Sequence, residues 1–222
     1  MKHRLTKADL KVPALLIALS LVPMFGGVAR LMSLASKGPV ALDDARFAHA
    51  PLPVLIHIFS ATLFSILGAF QFSRGFRLRW SGLHRRLGRV LGVCGLLTAA
   101  SGVWMTAFYA IPTSMQGPLL YPVRLAVGTA MFASIIVAWR SILRRDVARH
   151  EAFVIRAYAL GQGAGTQVVV LLPWMLISGQ SGGLTRDLLM TLSWLINIAF
   201  AEVIIRRRAG VEPKTSPAWS PH

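Results

Sequence analysis

Six long apolar stretches, separated by shorter polar segments, form the main pattern of this 222-residue chain. They cover residues 12–34, 52–72, 87–110, 119–139, 152–177 and 188–205. Each approaches the about 20 residues that an α-helix needs to cross a hydrocarbon core of about 30 Å. Inside lipid, backbone polar groups must be satisfied within a helix or a closed barrel, and these stretches lack the alternation of barrel strands. The pattern therefore predicts an all-α fold, a bundle of six transmembrane helices.

Composition supports a membrane environment. Hydrophobic residues make up 55% of the chain and charged residues only 14%, which is too little polar sequence to cover a water-soluble globule of this size. The formal net charge of +16 could indicate nucleic acid, but the basic residues lie in gaps between apolar stretches rather than in one domain. We therefore expect the lipid bilayer as partner and no nucleic acid.

The distribution of basic residues predicts the orientation. Of the 24 Lys and Arg residues, 19 lie in the two terminal segments and in alternate gaps. By the positive-inside rule, both termini face the cytoplasm of a bacterial inner membrane, and the Arg-rich loops contact anionic headgroups. Residues 1–11 are then a basic cytoplasmic N-terminus, residues 12–206 one membrane domain, and residues 207–222 a disordered cytoplasmic tail. The five cations assigned to the other side are Arg30, Lys37, Arg46, Arg124 and Arg186.

Known catalytic motifs are missing from the sequence. It contains no Walker-type phosphate loop, no dinucleotide fingerprint, no His-Glu-x-x-His helix and no Gly-x-Ser-x-Gly elbow, which disfavours an ATPase or a soluble-type hydrolase. The single cysteine, Cys94, excludes a disulfide framework within one chain. Catalytic residues are therefore not assigned.

His57 is the ionisable residue placed deepest in an apolar stretch. At helical spacing it shares a face with Ala61, Phe64, Gly68 and Gln71, so this small and polar face should point into the bundle. Two roles stay open for the imidazole. It either bonds to a neighbouring helix, or serves as a ligand or proton relay at an outer site.

His84 lies at the cytoplasmic start of the third stretch, above a series of small residues at helical spacing. These residues are Gly88, Gly92, Gly95, Ala99 and Gly102. Such a stripe usually accepts a neighbouring helix. The alternative is a planar cofactor such as haem, with the imidazole as axial ligand.

His150 repeats this arrangement before the fifth stretch, where Gly161 lies on the same face. If the third and fifth helices face one another, His84 and His150 could ligate the iron of one b-type haem, with Gly88, Gly92 and Gly161 beside it. A solvated or lipid-facing position for either histidine is the competing interpretation.

Four amide side chains lie within the apolar stretches: Gln71, Gln162, Gln167 and Asn197. On a straight helix, Gln162 and Gln167 point about 140° apart, so they cannot share one partner surface. One of them could line a cavity, and Asn197 could pair with either. Interhelical hydrogen bonding alone would also explain them.

Several segments carry a family resemblance: His57, residues 68–72, residues 83–89 with their His-Arg-x-x-Gly-Arg run, and residues 149–160. They resemble a bacterial family of predicted multi-spanning membrane proteins with a domain of unknown function. The layout is also loosely similar to transmembrane di-haem b-type cytochromes. His57 has no outer partner histidine on another helix, however, so that similarity implies at most one haem, at the inner face.

Three functions remain open from the sequence. The first is a redox-type membrane protein that binds b-type haem or quinone through His84 and His150, with His57 at an outer site. The second is a small-molecule transporter that uses polar residues along its helices. The third is a non-catalytic subunit held to a membrane partner or to its own copies through glycine faces.

Overall fold

The structure is a computed structural model that describes residues 6–36, 45–113, 115–179 and 182–210. Within these ranges all regular structure is helical. The helices, in chain order, are α1 (Lys7–Ala35), α2 (Ala45–His49), α3 (Pro51–Gln71), α4 (Arg74–Arg79), α5 (Ser81–Phe108), α6 (Leu120–Leu143), α7 (Val147–Gly161), α8 (Gly163–Ser178) and α9 (Gly183–Ala209). The predicted cytoplasmic tail lies almost entirely outside the described residues.

The predicted all-helical fold with membrane-length apolar helices is confirmed, with one change. Five helices, α1, α3, α5, α6 and α9, are each long and apolar enough to cross a bilayer. The stretch predicted as the fifth span is composed of two helices, α7 and α8, which meet at an angle of 41° and bring the number of spans to six if they count as one. The single helix expected over residues 152–177 is therefore broken in its middle.

The spans form a closed ring. Helix α3 lies between α1 and α5, α6 contacts α5 and α7, α9 contacts α7 and α8, and α8 returns to α1. Many apolar side chains on the outside of this ring are exposed, for example Leu15, Leu176 and Ile177. A soluble protein would bury such surface, so these side chains are suited to contact lipid.

One half of the bundle is filled by aromatic side chains. The Tyr158 hydroxyl donates a 2.6 Å hydrogen bond to the Ser65 carbonyl, and its ring stacks against Phe64 and Phe72. A Cβ on Gly68 would lie 2.7 Å from the Tyr158 ring. Helix α7 therefore approaches α3 closely at this point.

The basic segments meet at one end, which we call the basic end. The Asp9 carboxylate at the start of α1 accepts the backbone N–H of Gly75 in α4 at 2.8 Å. Glu151 at the start of α7 pairs with Arg77 at 3.1 Å and also with Arg208 near the end of α9. Four segments distant in sequence therefore lie on the same side of the bundle.

The other end, which we call the α2 end, is held by a buried carboxylate. Asp187 of α9 is fully buried. Its oxygens accept backbone N–H groups of Gly117, Leu119 and Leu120 at 2.8, 2.9 and 3.0 Å. These bonds satisfy donors at the start of α6 that have no partner within that helix. Asp187 thereby fixes the connection between α5 and α6 against α9.

Glu202 has a different partner from the one its sequence spacing suggests. Arg206 follows at i+4, a spacing that suits a local ion pair. In the structure, Glu202 instead forms a two-point ion pair with Arg156 of α7, at 2.6 and 3.0 Å. The pair joins α7 to α9, which sequence spacing cannot reveal.

Candidate functional site: a central cavity

A cavity of about 540 Å³ occupies the half of the bundle that Tyr158 leaves unfilled. It extends from the break between α7 and α8 to the α2 end, where Phe47 and Tyr109 line it. This volume is typical of sites for small molecules and cofactors. Its lining is mainly apolar, with a few polar side chains at defined places.

The break in the fifth span results from close helix contacts. A Cβ on Gly163 would collide with the Trp194 ring of α9, and one on Gly165 would collide with the Leu19 backbone of α1. These glycines let α8 lie against α1 and α9, while α7 lies against α3. The chain changes direction at Gln162, which connects the two helices.

Two of the predicted polar residues lie at and just after this change of direction. Gln162 and Gln167 both line the cavity, with relative exposures of only 5% and 8%. The sequence predicts that one of them could line a cavity, and in the structure both do. The Nε2 atom of Gln167 is buried without a hydrogen-bond partner.

The Gln162 amide has partners within the bundle. Its Oε1 lies 3.0 Å from the Ser20 hydroxyl, which is also 2.9 Å from the Leu16 carbonyl. The single hydroxyl proton can serve one of these acceptors well, and reversing the amide would let it donate to Ser20. In both arrangements, the Gln162 amide hydrogen-bonds to Ser20 of α1, and it also interacts with the Tyr158 hydroxyl of α7.

His57 both bonds to a neighbouring helix and lines the cavity. Its Nδ1 lies 3.1 Å from the Thr98 carbonyl and 3.1 Å from the Ser101 hydroxyl of α5. A carbonyl only accepts, so Nδ1 donates and Nε2 is the free acceptor of the neutral ring. Gly102 gives the ring its space, since a Cβ there would lie 3.4 Å from His57 Cε1.

Three arginines line the cavity near the α2 end: Arg46, Arg124 and Arg186. Arg124 Nη1 donates to Gln116 Oε1 at 2.9 Å, and Arg186 Nε is buried without a partner. They are three of the five cations that break the charge asymmetry along the chain. Their unusual position in the charge pattern is visible in the sequence. The sequence does not show, however, that the three side chains line one cavity.

His84 and His150 do not line this cavity. They lie at the basic end, close enough to interact electrostatically. His150 Nδ1 donates to the Ala138 carbonyl at 2.8 Å, which leaves its Nε2 available. His84 Nδ1 and Gln71 Nε2 are buried without partners.

Side chains occupy most of the glycine stripe below His84. A Cβ on Gly92 would lie 3.0 Å from the Trp139 ring, and one on Gly95 would lie 2.7 Å from Ile135. Both neighbours belong to α6, which contacts α5 and α7. Helix contact therefore explains this part of the stripe, and a macrocycle lying on it would collide with α6. Gly88 keeps open space, since a Cβ there would lie 3.9 Å from its nearest neighbour, Gln71 Oε1.

Asn197 stabilises the break instead of pairing with a glutamine. Its Oδ1 accepts from the Thr166 hydroxyl at 2.8 Å, and its Nδ2 donates to the Ala159 carbonyl at 3.0 Å. It therefore joins α9 to both α7 and α8. Gly161, predicted beside a haem, lines the cavity and contacts Phe64.

Within the described ranges, no group of three or more His, Cys, Asp and Glu side chains is placed to hold a metal ion. A metal ion coordinated entirely by such side chains is therefore not found there.

Together, the spans, the lipid-suited surface and the central cavity define a multi-spanning helical membrane protein. This chain belongs to the family described as predicted membrane protein (DUF2306), whose model matches residues 54–205. The matched segment contains His57, His84, His150 and the break at Gln162. Searches of curated proteins and of solved structures found no match.

Proposed function

We propose that this protein is a redox-type membrane protein that binds its cofactor, b-type haem or a quinone, in the central cavity. The observation that carries the proposal is the state of His57. Its Nδ1 is bonded to the Thr98 carbonyl while its ring lines a cofactor-sized cavity. Histidines that ligate metals are commonly oriented by this kind of bond to a carbonyl.

The residues present suit either cofactor. His57 Nε2 could ligate haem iron or accept a proton from a quinol hydroxyl, and the apolar lining would exclude water. Bound haem or quinone would supply the electron-transfer chemistry. The protein would orient the cofactor and set its surroundings.

A visible spectrum of the purified protein, oxidised and dithionite-reduced, tests the haem assignment, and solvent extraction tests for quinone. Loss of the Soret band or of extracted quinone in His57→Ala, with retention in His49→Ala, would support the cavity site. His49 is the matched control because it is exposed on α2. A colourless preparation without extractable quinone would overturn the proposal.

The same spectra test the inner-face site. His84 has an unpartnered Nδ1, and the ring of His150 is oriented by its bond to the Ala138 carbonyl. A haem bound by this pair would have to lie beside Gly88. Loss of the Soret band in both His84→Ala and His150→Ala, but not in His57→Ala, would move the cofactor to the basic end.

A membrane carrier is the second candidate function. The observation that favours it is the break at residues 161–163, because carriers build substrate sites at interrupted helices near the membrane midplane. The cavity reaches the α2 end, and Tyr158, which does not line it, packs against Phe64 and Phe72. A carrier would have to open the cavity to each side of the membrane in turn.

Cysteine accessibility separates the two functions. The native Cys94 is the only cysteine and is buried, so Cys94→Ser provides the background. Ala61 lines the cavity, so Ala61→Cys places a thiol there. Leu63→Cys is the control, because Leu63 lies on the same helix but is exposed on the outside of the bundle. Labelling of residue 61 by a membrane-impermeant maleimide from both sides of the membrane supports a carrier. Labelling from one side contradicts a carrier and agrees with a fixed cofactor site.

We also infer that the basic end faces the cytoplasm of a bacterial inner membrane. The structure supports this inference by gathering the start of α1, all of α4, the start of α7 and the end of α9 on one side. Basic segments are concentrated on the cytoplasmic side of membrane proteins.

A further inference from the structure

We propose that the occupant of the cavity carries a carboxylate, held by Arg124 and Arg186, on an apolar body that lies deeper among the helices. This inference rests on the proposed function only because both concern the same cavity. It selects a carboxylate-bearing ligand, such as a porphyrin with its propionates, over a neutral quinone.

The first argument is an excess of positive charge near the α2 end. Arg124 has Arg186 and Arg46 as like-charged electrostatic neighbours. The carboxylate of Asp187, which accepts three backbone N–H groups, offsets one of these positive charges, so a net positive charge remains. Clustering like charges in a half-buried site is unfavourable, and an anion placed between them would relieve the repulsion.

The second argument is geometric fit to a carboxylate. A guanidinium presents several N–H donors in one plane and binds carboxylates at two points. The Arg186 side chain lines the cavity, and its buried Nε has no hydrogen-bond partner. A ligand carboxylate would provide the missing acceptor.

The third argument is independent of the arginines. Gln167 lines the cavity and is more than nine-tenths buried, and its amide Nε2 has no hydrogen-bond partner. Buried polar atoms without partners are rare and costly. A polar atom of a bound molecule would satisfy this amide, so the occupant reaches from the arginines to Gln167 in α8.

The rest of the lining suits an apolar body. Five of the eight methionines in the chain line the cavity: Met24, Met105, Met115, Met131 and Met190. Methionine is flexible and polarizable and adapts to large flat or irregular apolar groups. The cavity therefore combines an apolar interior with a cationic rim.

The test uses protoporphyrin IX, which has two carboxylates and no iron, and its dimethyl ester, which has none free. Binding to the full-length protein in neutral detergent is followed by quenching of tryptophan fluorescence, since Trp194 lines the cavity. We expect the free acid to bind about tenfold or more tightly than the ester. Equal binding of acid and ester would overturn the proposal.

Arginine variants locate the carboxylate. Arg124→Gln with Arg186→Gln should abolish the preference for the acid, while Arg140→Gln should keep it. Arg140 is the matched control because it lies on α6, like Arg124, but is exposed at the other end of that helix. A preference that survives in the double variant contradicts the proposal.

A further measurement uses the unmodified protein, so its result does not depend on whether the arginine variants fold. Raising the salt concentration should weaken binding of the acid and leave binding of the ester unchanged. Identical salt responses would also contradict the proposal. Because protoporphyrin IX has no iron, its binding is read independently of the haem spectrum. A missing Soret band with an intact acid preference would therefore overturn the haem assignment alone.

Discussion

Gln162 and Gln167 line the same cavity although they are five residues apart in one membrane span. On a straight helix their side chains would diverge by about 140°. In the structure, Gln162 lies at the junction where α7 and α8 meet at 41°, and Gln167 lies within α8. The break and the helix that follows it therefore both contribute amide groups to the cavity lining.

Removing the Gln167 amide tests whether the fold needs it. Because its Nε2 is buried without a partner, Gln167→Leu should leave the free energy of unfolding unchanged or raise it by about 1 kcal/mol. Thermal unfolding in detergent measures this, with protoporphyrin binding recorded in parallel. A loss of more than about 1 kcal/mol would show that the amide has a structural partner.

Asp187→Ala should be strongly destabilising. It leaves three backbone N–H groups at the start of α6 without an acceptor, at an expected loss of about 3 kcal/mol. Asp146→Ala is the control, since Asp146 caps α7 through one exposed bond to the Arg149 N–H and should cost about 1 kcal/mol. Equal losses would argue against the structural role given to Asp187.

Two glycine-to-alanine substitutions should change the free energy of unfolding in opposite directions. Gly68→Ala places a Cβ against the Tyr158 ring at 2.7 Å and should cost about 1–3 kcal/mol through overpacking. Gly82→Ala meets open space in α5 and should stabilise by up to about 1 kcal/mol through helix propensity. Melting temperatures of both variants check the prediction, and a stabilising Gly68→Ala would contradict the close approach of α7 to α3.

The ion pair between Arg156 and Glu202 can be tested by a double-mutant cycle. Both side chains are about 30% exposed, so we expect a coupling energy of about 1 kcal/mol between Arg156→Gln and Glu202→Gln. The i+4 alternative predicts stronger coupling of Glu202 to Arg206. Unfolding measurements on both cycles decide between the two partners.

The orientation of the protein in the membrane can be measured by labelling single cysteines at two exposed positions, 48 and 85, in the Cys94→Ser background. Ala48→Cys at the α2 end should react with an impermeant maleimide in intact cells. Arg85→Cys at the basic end should react only after permeabilisation. Reaction of both residues in intact cells, or the reverse pattern, would show that the basic end does not face the cytoplasm.

Some residues of the site could be identified from the sequence, and others could not. His57 was identified because an imidazole deep in an apolar stretch is rare, and it does line the cavity. His84 and His150 lie close enough to interact electrostatically, but α6 contacts both α5 and α7, and its side chains occupy part of the glycine stripe on α5. Neither helix order in the ring nor the side chains that fill a glycine face follow from spacing along one helix.

The sequence by itself determined the membrane environment, the positions of the long apolar helices and the grouping of basic segments at one end. These features depend on local length and hydrophobicity, because lipid forces each apolar stretch to satisfy its own backbone. The tertiary structure decided where the fifth span breaks, which arginines converge and which face of each helix borders the cavity. Those features depend on contacts such as Gly163 with Trp194 and Asp187 with the start of α6. Such contacts join residues far apart in the chain, so no local pattern encodes them.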